Sequence, residues 1–220
     1  MRAGLRITSV ALAAMLAPVL AGCGDDGTGP EDGGRVEAKM TDAPAEPSAA
    51  VAPATSSGFR PAVAGSYSGS FTGNAKVAIS ADGETWIDLG DAQSVSLSLQ
   101  STGDTTSVHG NARVPFGTYA YVRLELADAN AHVDAGATIG TISLDAAIDV
   151  TVGTGGSVVI EKQVQPFEVR AGTRTTIIFD INSEAWMTEE NAEDEQVDEQ
   201  EVEESTEART RQTEEVESAA

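Results

Sequence analysis

The chain has 220 residues, a formal net charge of -22 and a pI near 4.2. A surface this acidic repels nucleic acid and anionic lipid headgroups, and no basic run in the sequence offsets it, so nucleic-acid binding is set aside. Cys23 is the one cysteine, which excludes an intrachain disulfide, and aromatic residues make up only 5%, so any core must rest mainly on Val, Ile, Leu and Ala.

The amino terminus has the three parts of a secretory signal. Arg2 and Arg6 are basic, Ile7 to Leu20 is an apolar run of about 14 residues, and Ala21 and Gly22 are the small residues a peptidase requires. The run is shorter than the ~20 residues that cross a bilayer, so residues 1–22 read as a removed segment. Leu20-Ala21-Gly22-Cys23 resembles the lipobox of bacterial lipoproteins, in which the cysteine becomes the acylated first residue of the mature chain. That resemblance implies lipidation at Cys23 and a membrane partner reached through the anchor. One acyl chain binds reversibly, at about 0.8 kcal/mol per buried CH₂, while two hold stably. Gly24, next in line, lacks the aspartate that favours inner-membrane retention in well-studied diderms, so the outer membrane is favoured, with the periplasmic or surface-facing side left open.

Residues 23–34 are rich in Gly and Asp and read as a flexible, disordered tether. Val36, Ala38 and Met40 alternate with Arg35, Glu37 and Lys39, which predicts a half-buried strand ended by Thr41-Asp42-Ala43-Pro44. Residues 45–65, rich in Ala, Pro and Ser, read as a mobile insertion. Lys76 to Ser80, the Asp82-Gly83 turn and Thr85 to Leu89 predict a hairpin carrying Trp86. Further strands are expected around Val95 to Leu99, Ser107 to Val114, Tyr119 to Leu126, Thr138 to Leu144, Ala147 to Val152, Ser157 to Val164, Phe167 to Arg170 and Thr175 to Ile181. The spacing, with turn residues between, describes an all-β fold, an antiparallel β-sandwich or barrel over residues 35–187. Residues 188–220 hold fourteen acidic side chains against Arg209 and Arg211 and few sizeable apolar residues. They read as a disordered acidic tail, unable to offset chain entropy by burial.

The opening strand with Met40-Thr41-Asp42-Ala43-Pro44 resembles the start of a family of bacterial lipoproteins classed as a domain of unknown function. Matching segments follow in order: Trp86-Ile87-Asp88-Leu89, then Pro115-Phe116-Gly117 through Tyr119, Tyr121, Val122, Arg123 and Leu124, then Ala171-Gly172-Thr173 through Phe179-Asp180. The wide separation at residues 45–72 departs from the family pattern. The resemblance implies an immunoglobulin-like or prealbumin-like β-sandwich on a lipid anchor, with no catalytic activity and no cofactor.

Candidate sites are few. Tyr119 and Tyr121 share one face of their strand, opposite Val122 and Leu124. If the aliphatic face is the core, the pair points outward and forms a candidate binding face. Arg123 is expected on the wet face or at the sheet end, paired with a carboxylate such as Glu125 or Asp180. Ser80 to Trp86 resembles the Asp-box turn of sialidase-like propellers, read here as a turn-stabilising device. His132, with Asp128 and Asp134 nearby, and the scattered aspartates match no metal-site spacing, so no metal is assigned. The sequence thus reads as a non-enzymatic, lipid-anchored module of the cell envelope. It is structural or binds an envelope protein or glycan. A carbohydrate- or peptide-binding accessory role is the alternative, and a hydrolase the third.

Overall fold

The computed structural model describes residues 33–42, 67–100 and 105–214. The signal, Cys23, residues 23–32 of the tether, the 45–65 insertion and residues 215–220 lie outside them. Eleven strands come first: β1 (Gly33–Thr41), β2 (Gly69–Ser80), β3 (Trp86–Asp88), β4 (Gln93–Ser98), β5 (Thr105–Pro115), β6 (Gly117–Val133), β7 (Thr138–Ile139), β8 (Ile142–Ser143), β9 (Ile148–Val152), β10 (Val158–Val169) and β11 (Thr173–Asp180). Then come α1 (Ser183–Trp186), α2 (Glu189–Asp194), β12 (Gln196–Val197), α3 (Glu199–Ser205) and β13 (Glu207–Glu214).

Among the described residues two main sheets form an all-β sandwich. The smaller has the order β13-β11-β1-β5. The larger runs β12-β9-β6-β2-β3, with β10 beside β6 and β4 beside β2. The pairs β1–β11 and β12–β9 are parallel, so both sheets are mixed. The alternation in β1 does what its pattern predicts: Val36, Ala38 and Met40 are fully buried while Arg35, Glu37 and Lys39 stay partly exposed. Its inner face and that of β11, with Ile177 and Phe179, join one core with Phe71, Val77, Ile79, Leu124, Leu126 and Ile160. Each such side chain contributes about 1.5–3 kcal/mol by leaving water.

Two bulges reset which face points inward. Between β2 and β6, Asp128 adopts a left-handed conformation (φ 52°) and the register shifts between Thr72 and Asn74. Asn74 donates from Nδ2 to the Asp128 carboxylate at 3.0 Å. Beyond this point the buried residues of β6 change from Val122, Leu124 and Leu126 to Ala129, Ala131 and Val133. The second shift lies between Gln163 and Phe167 of β10, around Pro166, which has no N–H to give to a ladder.

The tail is a correction. Residues 188–214 are not disordered: they form α2, β12, α3 and β13. The few apolar residues suffice because they dock on a finished sheet. Ala192, Val197 and Val202 are buried, and β13 pairs with β11 along all eight of its residues. The Thr188 hydroxyl accepts from the Asn191 N–H and caps α2. The tail also covers the free edge of β10. Glu199 accepts from the Val159 N–H at 3.1 Å, Lys162 donates to the Glu203 carbonyl, and Gln212 donates to the Glu168 carbonyl at 2.6 Å. A covered edge cannot template pairing with another chain. Gly33 and Gly34, expected in the tether, belong to β1.

Candidate functional site

The tyrosine pair does not form one face. Tyr119 is 6% exposed and points into the core, while Tyr121 is half-buried on the outer side. The β10 shift is the cause: Tyr121 stands opposite Gln163, but Tyr119 stands opposite Phe167, four residues past it where an unshifted ladder would advance two. The Tyr119 ring lies 5.9 Å from that of Phe167, and its hydroxyl donates to the Pro115 carbonyl at 2.9 Å. Burial pushes its phenol pKa up. Tyr119 therefore fastens the β5–β6 turn to the core and is removed from the binding face.

Tyr121 keeps different company. A side chain on Gly83 (φ 80°) would begin 3.5 Å from the Tyr121 ring, so the glycine both makes the turn and lets the ring lie over it. That turn is held by one carboxylate. Asp82 Oδ1 accepts from the N–H groups of Thr85 (2.8 Å) and Glu84 (2.9 Å) and from the Ser80 hydroxyl (2.9 Å). The Thr85 and Glu84 N–H groups lead in drawing the Asp82 pKa down to about 2. The Asp-box-like segment is a turn device, as its residues predict.

Beyond the turn, the Arg123 guanidinium lies 4.5 Å from the centre of the Trp86 ring. Arg123 also pairs with Glu125 (3.1 Å) and Glu161 (3.6 Å). Glu125 is one of its two expected partners; Asp180 lies on the other sheet. The outer face of the larger sheet thus carries Tyr121, Trp86 and Arg123, with arginine covering the indole.

His132 sits in β6, its Nδ1 2.7 Å from Asp149 and its Nε2 3.8 Å from Asp134. Asp128 is held by Asn74 instead. No group of three or more metal-ligating side chains occurs among the described residues. A cavity of about 710 Å³ lies between Thr154, Lys162 and the acidic side of α3, including Asp198, Glu199 and Glu203. Burial pushes the Lys162 pKa down, opposed by the charges of Glu203, Glu204 and Glu207.

The Thr41-Asp42 segment proves structural. Asp42 is 3% exposed, and its carboxylate accepts from the Ser183 N–H (2.6 Å), the Ser183 hydroxyl and the Gln100 N–H (2.7 Å). Tyr67, also buried, meets the same Ser183 hydroxyl at 2.9 Å. Asp42 therefore ties the end of β1 to the start of α1 and to the loop after β4. Burial raises its pKa, and these donors oppose the rise. Asp180, in register with Thr41, is 2% exposed, and neither carboxylate oxygen has a hydrogen-bond partner among the described residues. Burial pushes its pKa up to about 6, opposed first by the nearby Asn182 N–H, although no hydrogen bond of normal geometry forms, and then by the attraction of Arg209. Of the aspartates of the resemblance, Asp42 and Asp180 are thus inside the fold, at the end of the smaller sheet next to α1, while Asp88 is exposed and pairs with Lys76. Among the described residues no helix is long and apolar enough to cross a membrane.

No curated protein and no solved structure matches the chain. Residues 33–197 match the family described as a domain of unknown function, DUF4382, and α3 and β13 lie beyond that match. Since the match spans well over half of the 220 residues, the chain belongs to the DUF4382 family.

Proposed function

We propose that the protein is a membrane-anchored lipoprotein of the cell envelope whose β-sandwich is a non-enzymatic structural or partner-binding module. The observation that carries this reading is Leu20-Ala21-Gly22-Cys23 directly behind a short apolar run, with Cys23 the only cysteine of the chain. A diacylated cysteine there holds the mature chain on its membrane. The fold is compatible with the role: β1 begins at Gly33, so nine residues, ten chain steps, separate the acylated cysteine from the sandwich. They reach at most about 35 Å, which keeps the body beside the bilayer.

A second reading, a carbohydrate- or peptide-binding accessory protein, draws support from Tyr121 and Trp86 on one outer face. Tyr119 no longer contributes, and Arg123 occupies the indole face that a sugar ring would stack on. The first reading is therefore preferred. Metabolic labelling with a radioactive fatty acid tests it. The wild-type chain should take up label and fractionate with membranes, and Cys23→Ser should do neither. Equal labelling of both chains, or none of the wild type, would remove the proposal.

A further inference from the structure

The smaller sheet gathers basic residues that are far apart in the sequence. The side chains at partly exposed positions of β1 point away from the core, and the register extends that face across all four strands. Arg35 stands beside Arg174 on one side and Arg113 on the other. Next along the face, Arg211 and Arg209 of β13 stand opposite Thr176 and Ile178, and Lys39 stands opposite Ile178 from the other side. Six cations thus share the face with Glu37, Asp180 and Glu207, in a chain of net charge -22. Asp180 and Glu207 lie at the far end, beside the acidic helices.

The arginine row is at the end where the chain arrives from Cys23. Gly33 pairs with Pro115, so the β5–β6 turn is there too, and its tip is Phe116, 48% exposed. A side chain on Gly34 would begin 3.1–3.2 Å from the backbone of Arg170, which places the exposed Arg170 at the same end. The described carboxylates nearby are Glu37, which feels the charge of Arg174 and pairs with Lys39 at 3.3 Å, Glu168, 4.0 Å from Arg170, and Glu214 opposite Thr173.

We infer that this end of the smaller sheet, with Phe116 at its tip and Arg35, Arg113, Arg170 and Arg174 behind it, docks on the anionic headgroups of the membrane that holds the lipid anchor. The inference deepens the anchored reading and rests on it. Arginine binds phosphate through paired N–H donors. Arg35, Arg113 and Arg174 each have an internal partner, but a guanidinium has five donors and keeps its charge when one is used. An exposed phenylalanine tip can bury its apolar ring at the headgroup–acyl boundary. The overall negative charge does not forbid the contact. From Thr173 to Asp180 β11 extends roughly 23 Å, so the acidic helices stand more than two screening lengths from the arginine row at physiological salt. Among the described residues the arginine row is at the end nearer the anchor and the acidic helices are at the other.

The test uses the unacylated mature chain from Gly24 to Ala220, so that a failure of acylation and a failure of docking are separate results. It is mixed with vesicles of zwitterionic phospholipid, or with about 30% anionic phospholipid added, and sedimented. Binding is expected only with the anionic vesicles and should fall as salt rises. Arg113→Gln with Arg174→Gln should weaken it roughly 25-fold, about fivefold per arginine, and Phe116→Ser should weaken it roughly tenfold. Glu204→Gln, at the far end, should not weaken it. Phe116→Trp should show blue-shifted emission with anionic vesicles alone, which keeps the test open should the arginine variants fold poorly. No partition, partition indifferent to these substitutions, or retention on a soluble polyanion such as heparin without vesicle binding would each overturn the inference.

Discussion

Asp180→Asn is expected to stabilise the protein, and to do so only above acidic pH. Asp180 is almost fully buried, and neither oxygen is hydrogen-bonded to a described residue. Its pKa rises from 3.8 to about 6 because burial disfavours the charged form. A group whose folded pKa is raised contributes most below its unfolded pKa. That contribution is lost as pH climbs through the folded pKa, here between about pH 4 and 6. A shift of this size corresponds to about 3 kcal/mol at neutral pH. The asparagine amide must itself be desolvated, and the favourable influence of the Asn182 N–H and of Arg209 on the charge is given up, so the net gain expected is about 2 kcal/mol at pH 7.5. That is a rise of about 4–8 °C in Tm for a body of this size. At pH 4 the wild-type carboxyl is protonated, and the two proteins should have nearly equal stability. Urea unfolding followed by the fluorescence of buried Trp186 measures both points. Comparing the two proteins at each pH cancels the opposite contributions of Glu37 and Asp82, whose pKa values are lowered. A variant equal to or weaker than wild type at pH 7.5, or a difference independent of pH, would refute the reasoning.

Three other outcomes follow from the same contacts. Asp42→Ala strands the Ser183 and Gln100 donors and should cost about 2–4 kcal/mol in urea unfolding. Tyr119→Phe loses one hydrogen bond to the Pro115 carbonyl and keeps the ring packing, so the expected cost is about 1 kcal/mol; a loss of ligand binding without that cost would put Tyr119 back on a binding face. A chain stopped after Val197 uncovers the edges of β10 and β11. It should lose on the order of 3 kcal/mol and self-associate in sedimentation velocity, whereas a merely solvated tail would leave both Tm and mass unchanged.

Alternation in the sequence is a reliable guide wherever one face of a strand is core and the register is undisturbed. β1 and β4 are legible on that ground, and the Asp82-Gly83 turn on its own residues. Tyr119 is not, because the shift in the neighbouring β10 changes the phase at the start of β6 without marking β6 itself. The signal lies in Pro166 on that neighbour, just as Asp128, a residue that tolerates a left-handed backbone, marks the later phase change after Leu126. The tail failed for another reason. Composition judges a segment as if it stood alone, but β13 borrows a ladder from β11 and α3 lays Val202 on a sheet already built. Arg209-Thr210-Arg211-Gln212-Thr213 has the alternation and the threonines of a strand, a signal that the surrounding acids obscured. The basic row was beyond any linear reading. Arg35, Arg113 and Arg174 are isolated cations in the sequence, and only strand order brings them side by side.

The anchored reading is tested most directly by the intact mass of the mature amino-terminal peptide from membrane-extracted protein. The account predicts a peptide that begins at Cys23 and carries a thioether-linked diacylglyceryl group. A free Cys23 thiol, or a peptide that still begins at Met1, would contradict it.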